Sequence, residues 1–311
     1  MKYRLCLLFI LIANLALAQD TTIVWDKKKI TLQEVIVRSN FDFRKILNII
    51  KEDTTFYKAF RNLRILEYTS FNNIYIYNKK GGIQASAESK TRQHRQEGCR
   101  TTEVISETTT GDFYDRKKEY NYLTAQLYAS LFFAKGKVCG ETNLVKGKQF
   151  STAEKKGMEK HKEQLKMLFF NPGKKIPGIP FIGNKLDLFD DRATKLYDYR
   201  LDYTDFNGAP AYLFSIKAKE NPGLFRGDDI VVDEMTTWFD SRTMEVLARN
   251  YSLSYKAGVY DFDVHMEVQM TRFNGLLVPE VLRYKGNWDV VFKKRERAAF
   301  TARLFDFGRG R

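Results

Sequence analysis

The chain has 311 residues, 43% of them hydrophobic, and a formal charge of +14 at pH 7. That length suits one large domain or two small ones. Beyond the N-terminus, no stretch approaches the ~18 uninterrupted apolar residues that a membrane-spanning helix needs. The basic excess favours anionic headgroups or an acidic partner. However, it is scattered over Lys27–Lys29, Arg92–Arg100, Lys155–Lys166 and Lys293–Arg297, as on a solvated surface.

Met1 to Ala18 has the layout of a secretory signal: Lys2 and Arg4, an apolar run from Leu5 to Ala13, then Ala16-Leu17-Ala18 before Gln19. Cleavage after Ala18 and export are expected, which removes nucleic acid as a partner. Cys6 sits inside the apolar run rather than at the cleavage point, so it does not mark a lipid anchor. The mature chain keeps Cys99 and Cys139, and a lone pair in an oxidising compartment predicts a disulfide.

Residues 19–40 form an N-terminal arm with a short strand at Thr31 to Val37, and residues 41–311 form a single α+β domain. Asn40 or Asp42 is placed to cap an amphipathic helix over Phe41 to Phe60, restarted by a second cap at Asp53-Thr54. Leu66 to Tyr77 predicts a strand, Asn78 to Gly82 a hairpin turn, and Ile83 to Lys90 the returning strand. Val104 to Thr110 is strand-like. Leu123, Leu127 and Leu131 recur at helical spacing within Tyr122 to Phe133, and Ala153 to Phe170 predicts a charged helix. Pro172, Pro177 and Pro180 interleave with Gly173, Gly178 and Gly183, so no regular element survives there. That stretch is either a structured crossing loop or a lid carrying Ile176, Ile179, Phe181 and Ile182.

From Lys195 onward strands follow one another: 197–203, 211–219, 231–239, 245–255, 259–270, 276–285 and 298–307. Asn207-Gly208, Asp240-Ser241, Ala257-Gly258 and Asn274-Gly275 stand at the reversals, giving an antiparallel meander. The longest strand, Val259 to Met270, alternates strictly. Tyr260, Phe262, Val264, Met266, Val268 and Met270 are apolar, whereas Asp261, Asp263, His265, Glu267 and Gln269 are polar. It spans roughly 36–40 Å at ~3.3 Å per residue. One dry face of that length requires a cover, and two readings stand: a core packed under helices, or the wall of an apolar cavity.

Motifs for catalysis are missing: no G-x-S-x-G, H-E-x-x-H, P-loop or G-x-G-x-x-G occurs, so neither a catalytic residue nor a cofactor is predicted. His265 between Asp263 and Glu267 offers a weak acid/base or metal cluster against a solvated strand face. His94, Glu97 and Cys99 fall short of a closed metal site, the more so if Cys99 is oxidised. Asp187, Asp190, Asp191 and Asp198 match no calcium loop and suit a surface turn. Asn250-Tyr251-Ser252 is a glycosylation sequon in form only, lying mid-strand.

A strand ending F-D-S-R-T, a strand V-L-A-R-N-Y, the long alternating strand and the turn N-G-L-L-V-P-E follow in an order that resembles the periplasmic lipoprotein-carrier (LolA-like) superfamily. The recurrent positions of that superfamily correspond to Asp240, Thr243, Gly275 and Pro279, all turn positions. The resemblance covers the C-terminal third and implies a half-barrel sheet covered by helices. The whole chain resembles a family of exported Bacteroidota envelope proteins without an assigned activity. The stretches F-Y-K-A-F-R-N-L-R, K-T-R-Q-H-R, L-Y-A-S-L-F-F and W-D-V-V-F-K-K carry that likeness, and L-x-E-V-x-V in the arm resembles the segment preceding such domains.

Three expectations follow. The first is a non-enzymatic periplasmic or outer-membrane-associated protein. It would bind a lipid or lipoprotein acyl group through Tyr260, Phe262, Val264, Met266, Val268, Ile179 and Phe181. The second is an interaction module docking on an outer-membrane or TonB-linked assembly through its polar sheet face or its arm. The third is a hydrolase, which requires a cleft where acidic groups and a histidine converge.

Overall fold

The computed structural model describes residues 21–25, 28–32, 48–145, 157–170, 172–176, 182–220, 229–257, 260–289 and 295–310. Eleven strands form one open, curved antiparallel sheet. One meander comprises β3 (Leu66–Tyr77), β4 (Ile83–Gln96), β5 (Cys99–Thr110) and the short β6 (Val138–Cys139). The other runs in chain order: β7 (Tyr197–Phe206), β8 (Ala209–Ala218), β9 (Val232–Asp240), β10 (Val246–Ala257), β11 (Tyr260–Phe273), β12 (Leu276–Asp289) and β13 (Glu296–Arg309). They join where β13 pairs antiparallel with β3, from Arg297 opposite Tyr77 to Arg309 opposite Leu66. The second meander was expected. The join, which makes the two meanders one sheet, was not. The result is the half-barrel α+β class that the LolA-like resemblance implies.

Side-chain chemistry accounts for the reversals. Asn207-Gly208 and Asn274-Gly275 all have positive φ, as a tight hairpin turn of the mirror type requires. Between β9 and β10 the turn is wider: the Asp240 carboxylate accepts the N–H groups of Arg242 and Thr243, and Met244 takes the left-handed conformation. Asn78 Oδ1 likewise accepts from Lys80 and Gly82 between β3 and β4. Strand β5 begins five residues before its expected start. The missed residues, Cys99 to Glu103, carry no apolar alternation, whereas the expected part, 104–110, is exposed on both faces. In the arm, β1 (Thr21–Trp25) pairs with β2 (Lys28–Leu32), overlapping the expected strand only at Thr31 and Leu32. The rest of that strand, the signal segment and residues 41–47 lie outside the described residues.

Helices cross one face of the sheet. A helical turn at 48–51 leads into α1 (Thr55–Asn62), and Asp53 makes the break between them. Its Oδ1 accepts the N–H and the hydroxyl of Thr55, while Oδ2 meets Arg249 at 3.2 Å on β10. The guanidinium also donates to Thr237 Oγ1 and lies over the Phe56 ring. Burial lowers the Arg249 pKa, and the neighbouring Asp53 charge opposes that shift. Asn62 closes α1 by donating to the Leu277 carbonyl of β12.

The helix α2 (Leu123–Phe132) matches its expected position, and α3 (Gly157–Phe170) the C-terminal part of its own. Tyr128 of α2 donates to Asn72 Oδ1 at 2.5 Å, and the Asn72 amide in turn donates to Thr91 and Ser89. At the end of α2, Tyr68 and Arg64 donate to the carbonyls of Phe132 and Leu131. At the start of the single-turn α4 (Ala193–Leu196), Asp190 Oδ1 accepts the Ala193 N–H, and Asp187 accepts from the Phe189 N–H, so two members of the acidic cluster are spent on turn geometry.

Cys99 and Cys139 stand opposite each other on β5 and β6 and form the disulfide. Beside it Arg100 donates to Glu141. Burial alone would push Glu141 up, but that hydrogen bond and the charges of Arg64, Arg100 and Arg61 outweigh it and hold the carboxyl below its ordinary value. The bond closes a loop of 40 residues, worth about 4 kcal/mol in the chain-entropy model. Replacing both cysteines with serine is expected to lower the unfolding free energy by about that amount in urea titrations. A change under ~1 kcal/mol would show that the unfolded chain is not what the bond restrains.

Candidate functional site

Strand pairing arranges the dry face of the sheet into cross-strand rows, because directly opposed residues share a face. The first row runs Tyr255, Phe262, Trp288, Glu296. The second runs Leu253, Val264, Gly286, Ala298, Ile76, Ala85. The third runs Met235, Tyr251, Met266, Tyr284, Phe300, Ile74. The polar residues of β11 face the other way: Asp263 and His265 are exposed, and Glu267 is half-buried.

Large side chains dominate the third row, whereas the second is thinned by Gly286 and Ala298. A Cβ on Gly286 would lie 1.9 Å from the Tyr284 hydroxyl, so the phenol lies across the glycine. Tyr284 then stacks on Phe300 at 4.8 Å, and Tyr128 from α2 meets the same ring from above at 4.9 Å. On the other side, Tyr251 donates to the carbonyl of Phe169 at the end of α3. Phe60 of α1 packs on Phe169 and Phe170, so the three helices meet in one aromatic cluster. Burial pushes the Tyr251 and Tyr284 phenols well above their ordinary value, so both stay neutral.

The start of α2 is anchored by a residue from the sheet. Both oxygens of Glu296 accept its first backbone N–H groups, Leu123 at 2.9 Å and Thr124 at 2.8 Å. A carboxylate satisfies orphan donors there and complements the positive end of the helix dipole.

Between these tethers the helices do not fill the space above the sheet. A cavity of about 120 Å³ lies under Leu127, Tyr128 and Leu131 of α2 and Leu165, Leu168 and Phe169 of α3. Its floor is Tyr251, Leu253, Phe262, Val264, Met266, Tyr284, Trp288 and Phe300, and Ile182 closes one side. Lys166 and Asp289 also line it, Lys166 paired with Glu163 and Asp289 with Arg295. Gln164 and Thr124 complete the lining, and most of the surface is carbon. Both earlier readings of the long strand therefore hold in part: its row is buried under helices, and a gap remains over the middle of it.

Three of the seven residues expected to hold a ligand, Phe262, Val264 and Met266, line this cavity. Val268 is fully buried one row further along, next to the Arg249–Asp53 pair and outside the cavity wall. The side chain of Tyr260, and Ile179 and Phe181 altogether, lie outside the described residues. Sequence reasoning missed Trp288, Tyr284, Phe300 and Thr124. Leu127 and Leu131, noted only for helical spacing, form the roof. His265 contacts Ser252 and Glu267 on the exposed face, and His94 contacts Glu103. Cys99 is oxidised, so it offers no thiolate. Among the described residues no group of three or more histidines, cysteines or carboxylates is placed to hold a metal ion. No described helix is long and apolar enough to cross a membrane.

No protein-family model matches the chain, and no curated protein does. Among solved structures it is similar to a DUF1329 family protein from Desulfovibrio piger, at 10% identity and a TM-score of 0.25 over 81% of this chain and 90% of that one. It is similar to a putative outer membrane lipoprotein-sorting protein domain from Vibrio parahaemolyticus, at 10% identity and a TM-score of 0.26 over 81% and 92%. A third likeness, to lipovitellin, has 8% identity and a TM-score of 0.29 over 79% of this chain and 26% of that one. At TM-scores this low none of them carries an argument, and the fold stands on its own strand pairing.

Enlarging a side chain tests where the empty space is. Val264→Phe points a ring into the cavity and is expected to cost under ~1 kcal/mol, whereas Val268→Phe overpacks a filled row and costs about 1–3 kcal/mol. Urea unfolding of both variants checks this; equal costs would mean that the gap is not over Val264.

Proposed function

We propose that this protein is a non-enzymatic binder of an apolar, lipid-like or acylated ligand, held between the concave face of the sheet and helices α2 and α3. The observation that carries the reading is the cavity itself, which has carbon on both its floor and its roof. Its size is on the scale of a ~150 Å³ apolar cavity that takes up benzene and below the ~300 Å³ of pockets for drug-sized molecules. A segment of a single chain suits it better than a bulky ring system. Phe262, Val264 and Met266 make the sheet-side contacts in this reading. Tyr260 and Val268 extend the row, and Ile179 and Phe181 are the contribution of the Pro/Gly loop.

The disulfide supports work in an oxidising compartment, and the largely apolar lining of the cavity supports binding of a nonpolar group. The cell envelope, reached by export with cleavage after Ala18, is the compartment proposed. Met266, with its flexible thioether, suits a wall that adapts to chains of different length. Native mass spectrometry of protein purified without detergent is the test. An adduct that organic extraction removes and lipid analysis identifies as acyl-bearing is expected. A single unliganded mass that no added lipid shifts would overturn the reading.

A further inference from the structure

On the convex face of the sheet, away from the cavity, the outward side chains of β3 form an aromatic stripe: Phe71, Tyr75 and Tyr77, with Asn73 between them. Ile83 of β4 stands opposite Tyr77 and prolongs the stripe to the β3–β4 turn. From Phe71 to Tyr77 it runs about 20 Å at ~3.4 Å per residue. It is open to solvent: Ile83 is 58% and Phe71 49% exposed, and both tyrosines are half-buried. Cations border it. Register places Arg303 and Lys90 on either side of Phe71 and Arg297 beside Tyr77, and Lys79 and Lys80 stand exposed in the turn. The Lys90 ammonium lies 5.6 Å from the centre of the Phe71 ring. None of these cations has a carboxylate partner among the described residues. The acids close by are Glu88, Glu67 and Asp306. Glu88 accepts from the Tyr75 hydroxyl at 2.6 Å, Glu67 lies 3.9 Å from Arg92, and Asp306 is exposed at the bulge that follows Phe305.

Apolar side chains beside unpaired cations set the chemistry of what this face meets. Aromatic rings suit the boundary between lipid headgroups and acyl chains, where an amphipathic ring has one end dry and one end wet. Lysine and arginine lay their methylene stems along apolar surface and carry the charge out to the phosphates. An acidic protein would satisfy the cations but would also need apolar groups to match Ile83 and Phe71. An anionic bilayer offers both at once. We infer that the outer face of β3 and the β3–β4 turn dock the protein on an anionic lipid surface, with Lys79, Lys80 and Ile83 leading. The cavity lies on the opposite face of the sheet, so this inference goes beyond the proposed function and does not depend on it.

The test is cosedimentation of the purified protein with vesicles of phosphatidylcholine, with and without phosphatidylglycerol. Binding is expected only to the vesicles that contain phosphatidylglycerol, and it falls as salt is raised. Lys79→Gln and Lys80→Gln should each weaken it about fivefold. Ile83→Ser and Phe71→Ser should each weaken it about tenfold by removing apolar surface from the contact. Lys217→Gln, on the same face of the sheet but on β8, should change nothing and controls for net charge. The side chains replaced are all exposed, and superimposable thermal melts check that the fold is intact. Absence of cosedimentation with either vesicle would overturn the inference and leave an acidic protein as the partner. Equal loss from Lys217→Gln, or binding untouched by both Ile83→Ser and Phe71→Ser, would overturn it too, since net charge alone would then account for the attraction. The ligand of the cavity is read separately by native mass spectrometry, which these substitutions leave unchanged, so the two readings fail independently.

Discussion

The pairing of β13 with β3 is the constraint on which the rest of the molecule depends. Those strands come from opposite ends of the domain, and each closes its own meander. Loop-closure cost rises only slowly with length, so a long separation does not forbid such a pair if the faces match. They do match: Phe300 stands opposite Ile74, Ala298 opposite Ile76 and Ala302 opposite Asn72. Once the strands join, α2, which belongs to the first meander, lies over β12 and β13 of the second. Glu296 then meets the start of that helix, and Tyr128 meets Asn72. The α2 part of the cavity roof is thus supplied by one half of the chain, and the floor by strands of the other.

The gap between roof and floor follows from how the helices are held. Their fixed points are polar: Glu296 at the start of α2, Asn72 in its middle, Tyr68 and Arg64 at its end, and Tyr251 at the end of α3. Each such bond has a narrow distance range. It therefore sets the height of the helix above the sheet regardless of whether side chains fill the space below. The Tyr284 ring fills the space over Gly286, and the gap opens beside it, over Phe262, Val264 and Met266. Elsewhere Val268, Leu282 and Ala302 are fully buried, and only a void of about 20 Å³ lies beside the Arg249–Asp53 pair.

Much of the fold was legible in the residues. The alternation from Phe262 to Met270 placed β11 and its buried face, and Leu66 to Tyr77 matched β3 at both ends. Strand β5 was only half legible: Val104 to Thr110 was expected, but Cys99 to Glu103 is polar and shows no period. The β3–β13 join was not legible at all, since nothing local marks which edges meet. For the site, the sequence named the β11 floor from its alternation. It missed Trp288, Tyr284 and Phe300 because they belong to neighbouring strands and are assembled by register. One signal was present: Gly286 between Tyr284 and Trp288 on the same face of a strand, where a missing side chain lets a large one lie flat. Thr124 could not have been found without the Glu296 contact that fixes the start of α2.

The central claim is that an apolar chain occupies the space between Phe262, Val264 and Met266 below and Leu127, Leu131 and Phe169 above. The most direct measurement is a crystal of the protein soaked with 1-bromododecane, with bromine located by anomalous scattering. The account predicts a bromine peak inside that space and electron density for the chain running over Val264. A bromine peak only at the outer surface, with the helices packed down onto the second row, would contradict it.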